Sequence, residues 1–469
     1  MPETKDLVIL GSGPGGYVAA IKAGQLGLDV AVVERDPKFG GTCLHRGCIP
    51  TKALLHTAGL LDEIRHSKAF GVKVAGVELD LDKTRAYKKK VVDKNARGIE
   101  FLFKKNNVEG VHGTGRVAST GEVVVELADG GKRSILARNI LIATGSVPRE
   151  VSIAPTDGRR IVNSDHLLEL PEMPEKMVVV GSGAVGSEFA SIYRSFGSEV
   201  TLVEMLPRIL PLEDEEISGE LLKQFGKRGI ECLTGTRLAG VDDSGDRLSV
   251  RLETAETEGA APSEIAADML LVAIGRAPVT GGLGLEALGV EMDRGYLKVD
   301  EWMRTSVENI YAIGDVVPTP WLAHVASAEG ILAVEHMSGA AARPLDYDRV
   351  PSVTYCEPEV ASVGLSEEQA KERGHEVAVG KFPFAASGKA AIEGKTAGFV
   401  KVVRETRYDE LLGVHVIGPR ATDLIAEACV ALQLESTTEE LFRTIHAHPT
   451  LSEALAEAAH AATGHAIHI

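Results

Sequence analysis

The 469 residues, 44% hydrophobic and 25% charged, suffice for roughly two to four domains and have the composition of an ordinary globular protein, not of a disordered or fibrous one. A formal net charge of −17 argues against nucleic acid or an anionic membrane surface as a partner. Five cysteines are too few for a disulfide scaffold, no run approaches the ~20 apolar residues of a membrane span, and the start, MPETKDLVILGSG, enters a strand without a secretory signal, so a cytoplasmic location is expected.

Residues 6–34 read as strand, glycine turn, helix and strand. DLVILGSGPGG places G-x-G-x-x-G at Gly11, Gly13 and Gly16, the helix runs through YVAAIKAGQLG, and VAVVE ends at Glu34. The glycines allow a tight turn and let backbone approach a pyrophosphate at the helix N-terminus. Glu34 can accept hydrogen bonds from ribose hydroxyls. The motif alone is weak, but strand, helix and terminal acid all fall in place, so dinucleotide binding is expected.

Next comes GGTCLHRGCIPTK, with Cys43 and Cys48 just before an expected helix start. Five residues of regular helix rise about 7.5 Å, whereas a disulfide needs Cα atoms roughly 4.4–6.8 Å apart. A bridge here therefore requires a distorted first turn, with Gly47 giving backbone freedom. A redox-active disulfide, two free core thiols and half of a zinc site all remain open on spacing alone. Cys232, Cys356 and Cys429 are scattered and read as buried thiols.

Residues 80–105 predict a helix whose basic face (YKKKVVDKNARG) is solvated. Residues 108–142 alternate apolar and polar, with turns at Gly121 and Asp129–Gly131, and predict a small antiparallel sheet ending in ILIATG. The first block then recurs. MVVVGSGAVGSEFASIYRSFGSEVTLVE carries Gly181, Gly183 and Gly186 and ends at Glu204; 181–204 and 11–34 are both 24 residues long, and Gly27 and Gly197 fall in register. Two dinucleotide sites imply that electrons pass between two cofactors. The small polar run 255–264 reads as a loop, and MLLVAIGRAP closes the second block near residue 276.

In NIYAIGDV a buried strand ends at Gly314–Asp315, where an acid can meet a cofactor hydroxyl or simply sit in a turn. From about residue 347 the pattern becomes α+β: SVTYCEPEVASVG, FVKVVRE and LLGVHVIG read as strands, SEEQAKERG opens with a Ser366–Gln369 capping box, and TDLIAEACVALQ reads as a helix. Finally, HAHPTLSEA sets His446 and His448 before Glu453, the last in an early turn of a helix after Pro449. A histidine oriented by a carboxylate is a natural proton shuttle. A metal pair or capping histidines are the alternatives, though without a nearby third ligand the zinc reading is poor. The tail residues His460, His465 and His468 read as solvated, with at most a weak adventitious metal site, and no resident metal is expected.

These stretches, together with IATGSVP, AIGRAP, YAIGDVVPTPWLAHVASAEG and PSVTYCEPEVASVGLS, stand in the order found in the pyridine nucleotide–disulfide oxidoreductases, which the chain resembles over residues 5–463. The resemblance implies an α/β fold class: two Rossmann-like dinucleotide-binding domains plus a C-terminal α+β dimerisation domain. The parts are an FAD-binding domain at 1–150, an NAD-binding domain at 151–276, a second FAD-binding or central part at 277–346, and an interface domain at 347–469. It implies a redox-active Cys43–Cys48 disulfide served by His448 and Glu453. FAD would be held by Gly11, Gly13, Gly16, Glu34, Lys52, Gly115, Asp315 and Ala323. NAD would be held by Gly181, Gly183, Gly186, Glu204 and Gly275. Lys52 and Glu188 would pair beside the flavin; the residues alone leave them as two unrelated surface charges. A carboxylate at Glu204 favours NAD over NADP, with Arg208 the one residue able to soften that preference. The implied reaction is oxidation of protein-bound dihydrolipoamide with NAD+. The implied partners are a second copy of the chain and the lipoyl-bearing acyltransferase of a 2-oxoacid dehydrogenase complex, or a glycine-cleavage carrier protein. His45 departs from the family pattern, where asparagine is more usual.

Overall fold

The computed structural model describes residues 4–169, 172–254 and 263–469. The chain divides into two compact units. One takes residues 4–53, 82–149 and 276–347, and the other takes the described residues of 54–81, 150–275 and 348–469.

In the first unit, β1 (Thr4–Leu10), helix α1 (Pro14–Gln25) and β2 (Val30–Glu34) form the expected β-α-β block. After α2 (Gly41–Arg46) and the start of α3 (Cys48–His66) comes the long α4 (Leu81–Lys105), which carries the basic face. β3 (Val108–Ser119), β4 (Glu122–Leu127) and β5 (Lys132–Ile142) follow. These three are not a separate antiparallel sheet. The first half of β3 pairs parallel with β2 (Val30↔Val108) and the second half of β5 pairs parallel with β1 (Leu7↔Asn139), and only the other halves make the antiparallel meander with β4. At 12 and 11 residues, β3 and β5 are long enough to serve both pairings. The strand Ile310–Ala312 then joins β5 on its other side.

β1 is buried on both faces, Leu7 and Ile9 in one core and Val8 and Leu10 in another, as a parallel sheet covered on both sides requires. The helix Ala323–Met337 packs on α1 through small residues. A Cβ on Gly330 would lie 2.7 Å from the Gly15 carbonyl oxygen, and one on Gly15 would lie 2.9 Å from that of Ala326.

In the second unit the repeat rebuilds the same motif. A five-stranded parallel sheet centres on Lys176–Val180 and Glu199–Val203, with the helix Ala184–Phe196 between them in sequence. Of the run 255–264, residues 255–262 lie outside the described residues, while Ser263 and Glu264 begin a strand that completes a three-stranded antiparallel sheet. The C-terminal stretch forms a five-stranded antiparallel sheet. It includes Val377–Pro383, a strand the sequence pattern does not reveal. The Ser366–Gln369 capping box and the helix Ala421–Gln433 are present as expected. Lys401 on the strand Phe399–Glu405 is almost fully buried. It reaches Asp214 at 3.0 Å, Glu216 at 2.7 Å and Glu367 at 2.9 Å, and so ties that strand to the start of the helix Glu215–Lys227.

Candidate active site

The first glycine turn is built by crowding. A Cβ on Gly11 would fall 2.2 Å from the Ala143 carbonyl oxygen, and one on Gly16 would fall 2.0 Å from that of Gly11; Gly11 is also left-handed (φ +101°). At Gly13 a Cβ would meet nothing within 4 Å, so the open side of the turn lies beside the α1 N-terminus. The repeat matches in detail: Gly181 and Gly186 are closed by carbonyl oxygens at 2.4 and 1.8 Å, and Gly183 is open. Each turn is therefore a cradle beside a helix N-terminus, the arrangement that takes a pyrophosphate.

The terminal acids are held ready. One Glu34 oxygen accepts the Ser12 N–H at 2.9 Å and the Ser12 hydroxyl, and the other accepts the Asp36 N–H at 2.9 Å. Glu204 does the same with Ser182, at 2.8 and 2.7 Å, and with the Leu206 N–H at 2.9 Å. Both carboxylates are at most 8% exposed. Arg208 lies 3.4 Å from Glu368. The shared GSG sets a serine at the same place in both turns, Ser12 and Ser182, which a pattern of glycines alone does not single out.

Cys43 and Cys48 form a disulfide, with Cα atoms 4.7 Å apart. The distortion it requires lies between two helices and not within one first turn: α2 ends at Arg46, Gly47 breaks the helix, and Cys48 opens α3. The bridged segment is anchored on the glycine turn. Gly40 donates its N–H to both the carbonyl oxygen (3.1 Å) and the hydroxyl (3.0 Å) of Ser12, and a Cβ on Gly41 would come within 2.5 Å of the Gly13 Cα. His45 meets the Phe39 carbonyl at 2.9 Å. Of the other cysteines only Cys356 is fully buried, while Cys232 and Cys429 are half-buried, so the reading of three buried thiols holds for one. Burial pushes all three thiols up, Cys232 to about 12, which leaves them poor nucleophiles.

Asp315 accepts a hydrogen bond from the Ser146 hydroxyl, and Arg276 fixes Ser146 through its hydroxyl (2.6 Å) and carbonyl (2.7 Å). Lys52 stands half-buried near the start of α3, and Ala323 opens the helix Ala323–Met337. Gly115 is a packing glycine as well, since a Cβ there would lie 2.5 Å from the Leu10 side chain. In the second unit Gly275 is left-handed (φ +109°) with open space beside it. Glu188 is not a surface charge: it is 4% exposed and accepts the Tyr355 N–H at 3.1 Å.

The two histidines of HAHPTLSEA separate clearly. His446 bonds Glu427 at 2.6 Å and the Thr444 carbonyl at 2.8 Å, and its side chain is 8% exposed. His448 bonds Glu453 through Nδ1 at 2.8 Å, and its side chain is 80% exposed. Glu453 opens the helix Glu453–Ala462 and also accepts the Thr450 N–H at 2.8 Å. Burial works to raise the Glu453 carboxyl, but Thr450 and His448 outweigh it and hold the acid below its ordinary value. The tail is not wholly solvated, because His460 stacks on Phe442 and His468 pairs with Glu457. Among the described residues no group of three or more His, Cys, Asp or Glu is placed to hold a metal.

Residues 5–330 match the family described as pyridine nucleotide-disulphide oxidoreductase, and residues 350–459 match the dimerisation domain of that family. The chain is 46% identical over 478 residues to a dihydrolipoyl dehydrogenase of Bacillus subtilis (strain 168), covering 100% of both chains. It is 45% identical over 469 residues to a mitochondrial dihydrolipoyl dehydrogenase of Pisum sativum, covering 100% of this chain and 93% of the relative. The crystal structure of LpdA from Mycobacterium tuberculosis superposes with a TM-score of 0.90 at 30% identity, covering 97% of this chain and 99% of that one.

Proposed function

The chain belongs to the pyridine nucleotide-disulphide oxidoreductase family, and from that premise we propose that it oxidises protein-bound dihydrolipoamide to lipoamide with NAD+ as acceptor, through the Cys43–Cys48 disulfide and FAD. The observation that carries this reading is the anchoring of the bridged segment on the first glycine turn, Gly40 to Ser12. It puts an exchangeable S–S bond next to a dinucleotide cradle.

The first unit fits FAD: Gly11, Gly13 and Gly16 shape the cradle, Glu34 would meet the ribose with its carboxylate, and Gly115, Asp315, Ala323 and Lys52 would supply the remaining contacts. NAD fits the second, at Gly181, Gly183, Gly186, Glu204 and Gly275. A carboxylate already holding Ser182 meets a ribose 2′-hydroxyl well and repels a 2′-phosphate.

In the reaction His448 removes a proton from one substrate thiol, and Glu453 orients the ring through Nδ1 and stabilises its cation. The substrate thiolate attacks the Cys43 sulfur, the Cys43–Cys48 bond breaks, and Cys48 leaves as thiolate. The second substrate thiol attacks the mixed disulfide at its substrate sulfur, closing the lipoamide ring, and its proton passes to the departing Cys43 sulfur, which is freed as a thiol. FAD, when bound, supplies the route by which the electron pair leaves the dithiol and reaches NAD+ as hydride.

The working form is a homodimer in which His448 of one subunit serves the disulfide of the other, consistent with the dimerisation-domain match at 350–459. The division 1–150 and 277–346 for FAD, 151–276 for NAD and 347–469 for the interface goes with this reading. The physiological partner is the lipoyl-bearing acyltransferase of a 2-oxoacid dehydrogenase complex, or a glycine-cleavage carrier. The location is cytoplasmic; no helix among the described residues is long and apolar enough to cross a membrane. The test is NADH formation from dihydrolipoamide against reduced glutathione, with NAD+ and NADP+ compared. Dihydrolipoamide with NAD+ is expected to dominate and Cys43→Ser to abolish the activity. A Cys43→Ser variant that keeps it would turn the reading toward a diaphorase that bypasses the thiols.

A further inference from the structure

The helix Ala323–Met337 carries a carboxyl group that the chemistry above does not use. Glu329 is 0% exposed. One of its oxygens accepts the Gly314 N–H at 2.7 Å and the other accepts the Tyr347 hydroxyl at 2.9 Å. Gly314 is buried and left-handed (φ +68°), so its N–H points away from any regular ladder and needs an acceptor from elsewhere. The next residue is Asp315, whose carboxylate is fixed from its other side by Ser146 and, behind that, by Arg276. The strand Ile310–Ala312 ends just before this turn, so the turn's conformation is set by Glu329 on one side and Ser146 on the other.

We propose that Glu329 is a positioning residue for FAD, holding the Gly314–Asp315 turn in the conformation that presents the Asp315 carboxylate to the bound nucleotide. This rests on the reading of the first unit as the FAD site. The role needs an acceptor and does not need a charge. Burial pushes the Glu329 carboxyl up against the pull of Thr319, Gly314 and Tyr347, and nearby Asp315 pushes it the same way, which agrees with that requirement. An amide can therefore replace it: the oxygen of a glutamine accepts from Gly314, and its nitrogen donates to the Tyr347 hydroxyl oxygen.

The test is the rate of FAD release from purified holoenzyme after dilution, followed by the rise in free-flavin fluorescence. Glu329→Gln is expected to release FAD at the wild-type rate. Glu329→Ala strands a buried N–H and is expected to release it about tenfold faster or more. Tyr347→Phe keeps the carboxyl but removes one of its two supports, and is expected to fall between them. This variant decides the matter even if the alanine protein does not accumulate. A glutamine variant as leaky as the alanine variant would overturn the assignment, and so would alanine or phenylalanine variants as retentive as wild type. A wild-type protein that carries no flavin would instead overturn the FAD reading, and this inference with it.

Discussion

At position 446 both imidazole nitrogens have partners and the ring is covered; at 448 one nitrogen holds Glu453 and most of the ring faces outward. Only the second arrangement leaves a nitrogen available to a substrate. General acid–base help is typically worth about 10²–10⁴-fold, so His448→Gln is expected to lower dihydrolipoamide turnover by about that factor while the flavin absorbance per protein stays unchanged. Turnover equal to wild type would remove His448 from the mechanism. Because its folded value lies below the ordinary 4.5, Glu453 stays ionised through neutral pH and its pairing is lost only as pH falls through that lowered value. At this scale the sequence is generous where a motif is contiguous, as with Cys43, Cys48 and Glu453. It is silent where partners meet across long separations, as with Ser146 and Asp315 or Glu329 and Gly314. The local pattern marks Gly314–Asp315 as a strand-end turn but does not mark Ser146 or Glu329, because their environments exist only after the sheet has formed.

The two glycine turns show how an element divides its labour among identical residues. Gly186 is closed by a carbonyl oxygen at 1.8 Å and Gly183 faces open space. Gly186→Ala is expected to lower the melting temperature of the protein. Gly183→Ala is expected to leave it unchanged and raise the KM for NAD+, read by thermal denaturation and initial rates. The reverse pattern would place the nucleotide elsewhere. Lys401 is an element-scale tie of another kind. Lys401→Met leaves Asp214 buried without its cation and is expected to cost about 3–5 kcal/mol in urea unfolding. The neighbouring carboxyl groups are held below their ordinary values of 3.8 and 4.5, that of Glu367 at about 2. Their stabilising effect is therefore complete above about pH 5 and disappears as pH falls toward 2. Lys401 itself is raised above 10.5, so its share is lost only as pH rises beyond that value. The meander of β3, β4 and β5 explains why topology was harder to read than elements. The alternation identifies each strand, but nothing in it says that one strand pairs parallel at one end and antiparallel at the other.

For the whole molecule the decisive question is which subunit supplies the proton acceptor. In a two-fold dimer, a hybrid of one Cys43→Ser chain and one His448→Gln chain has one intact site if disulfide and histidine come from different chains, and none if they come from the same chain. Purified hybrids are therefore expected to show about half the wild-type turnover. Inactive hybrids would mean that each chain works alone. The repeat and the C-terminal change of pattern were both legible, because each is a composition or period sustained over many residues. The grouping of residues 54–81 with the later part of the chain was not, since α3 continues through position 54 without a break in its pattern.

The first unit is assembled from three separate stretches, and the last of them, 276–347, brings the strand beside β5. On the ribosome, at about 5–20 residues per second, residues up to 149 wait on the order of ten seconds for that stretch to emerge. Through that interval the flank of β5 is an open sheet edge, able to pair with another nascent chain. Synthesis speed through the middle of the message, and chaperone access during it, should govern how much of this protein reaches its flavin-competent form.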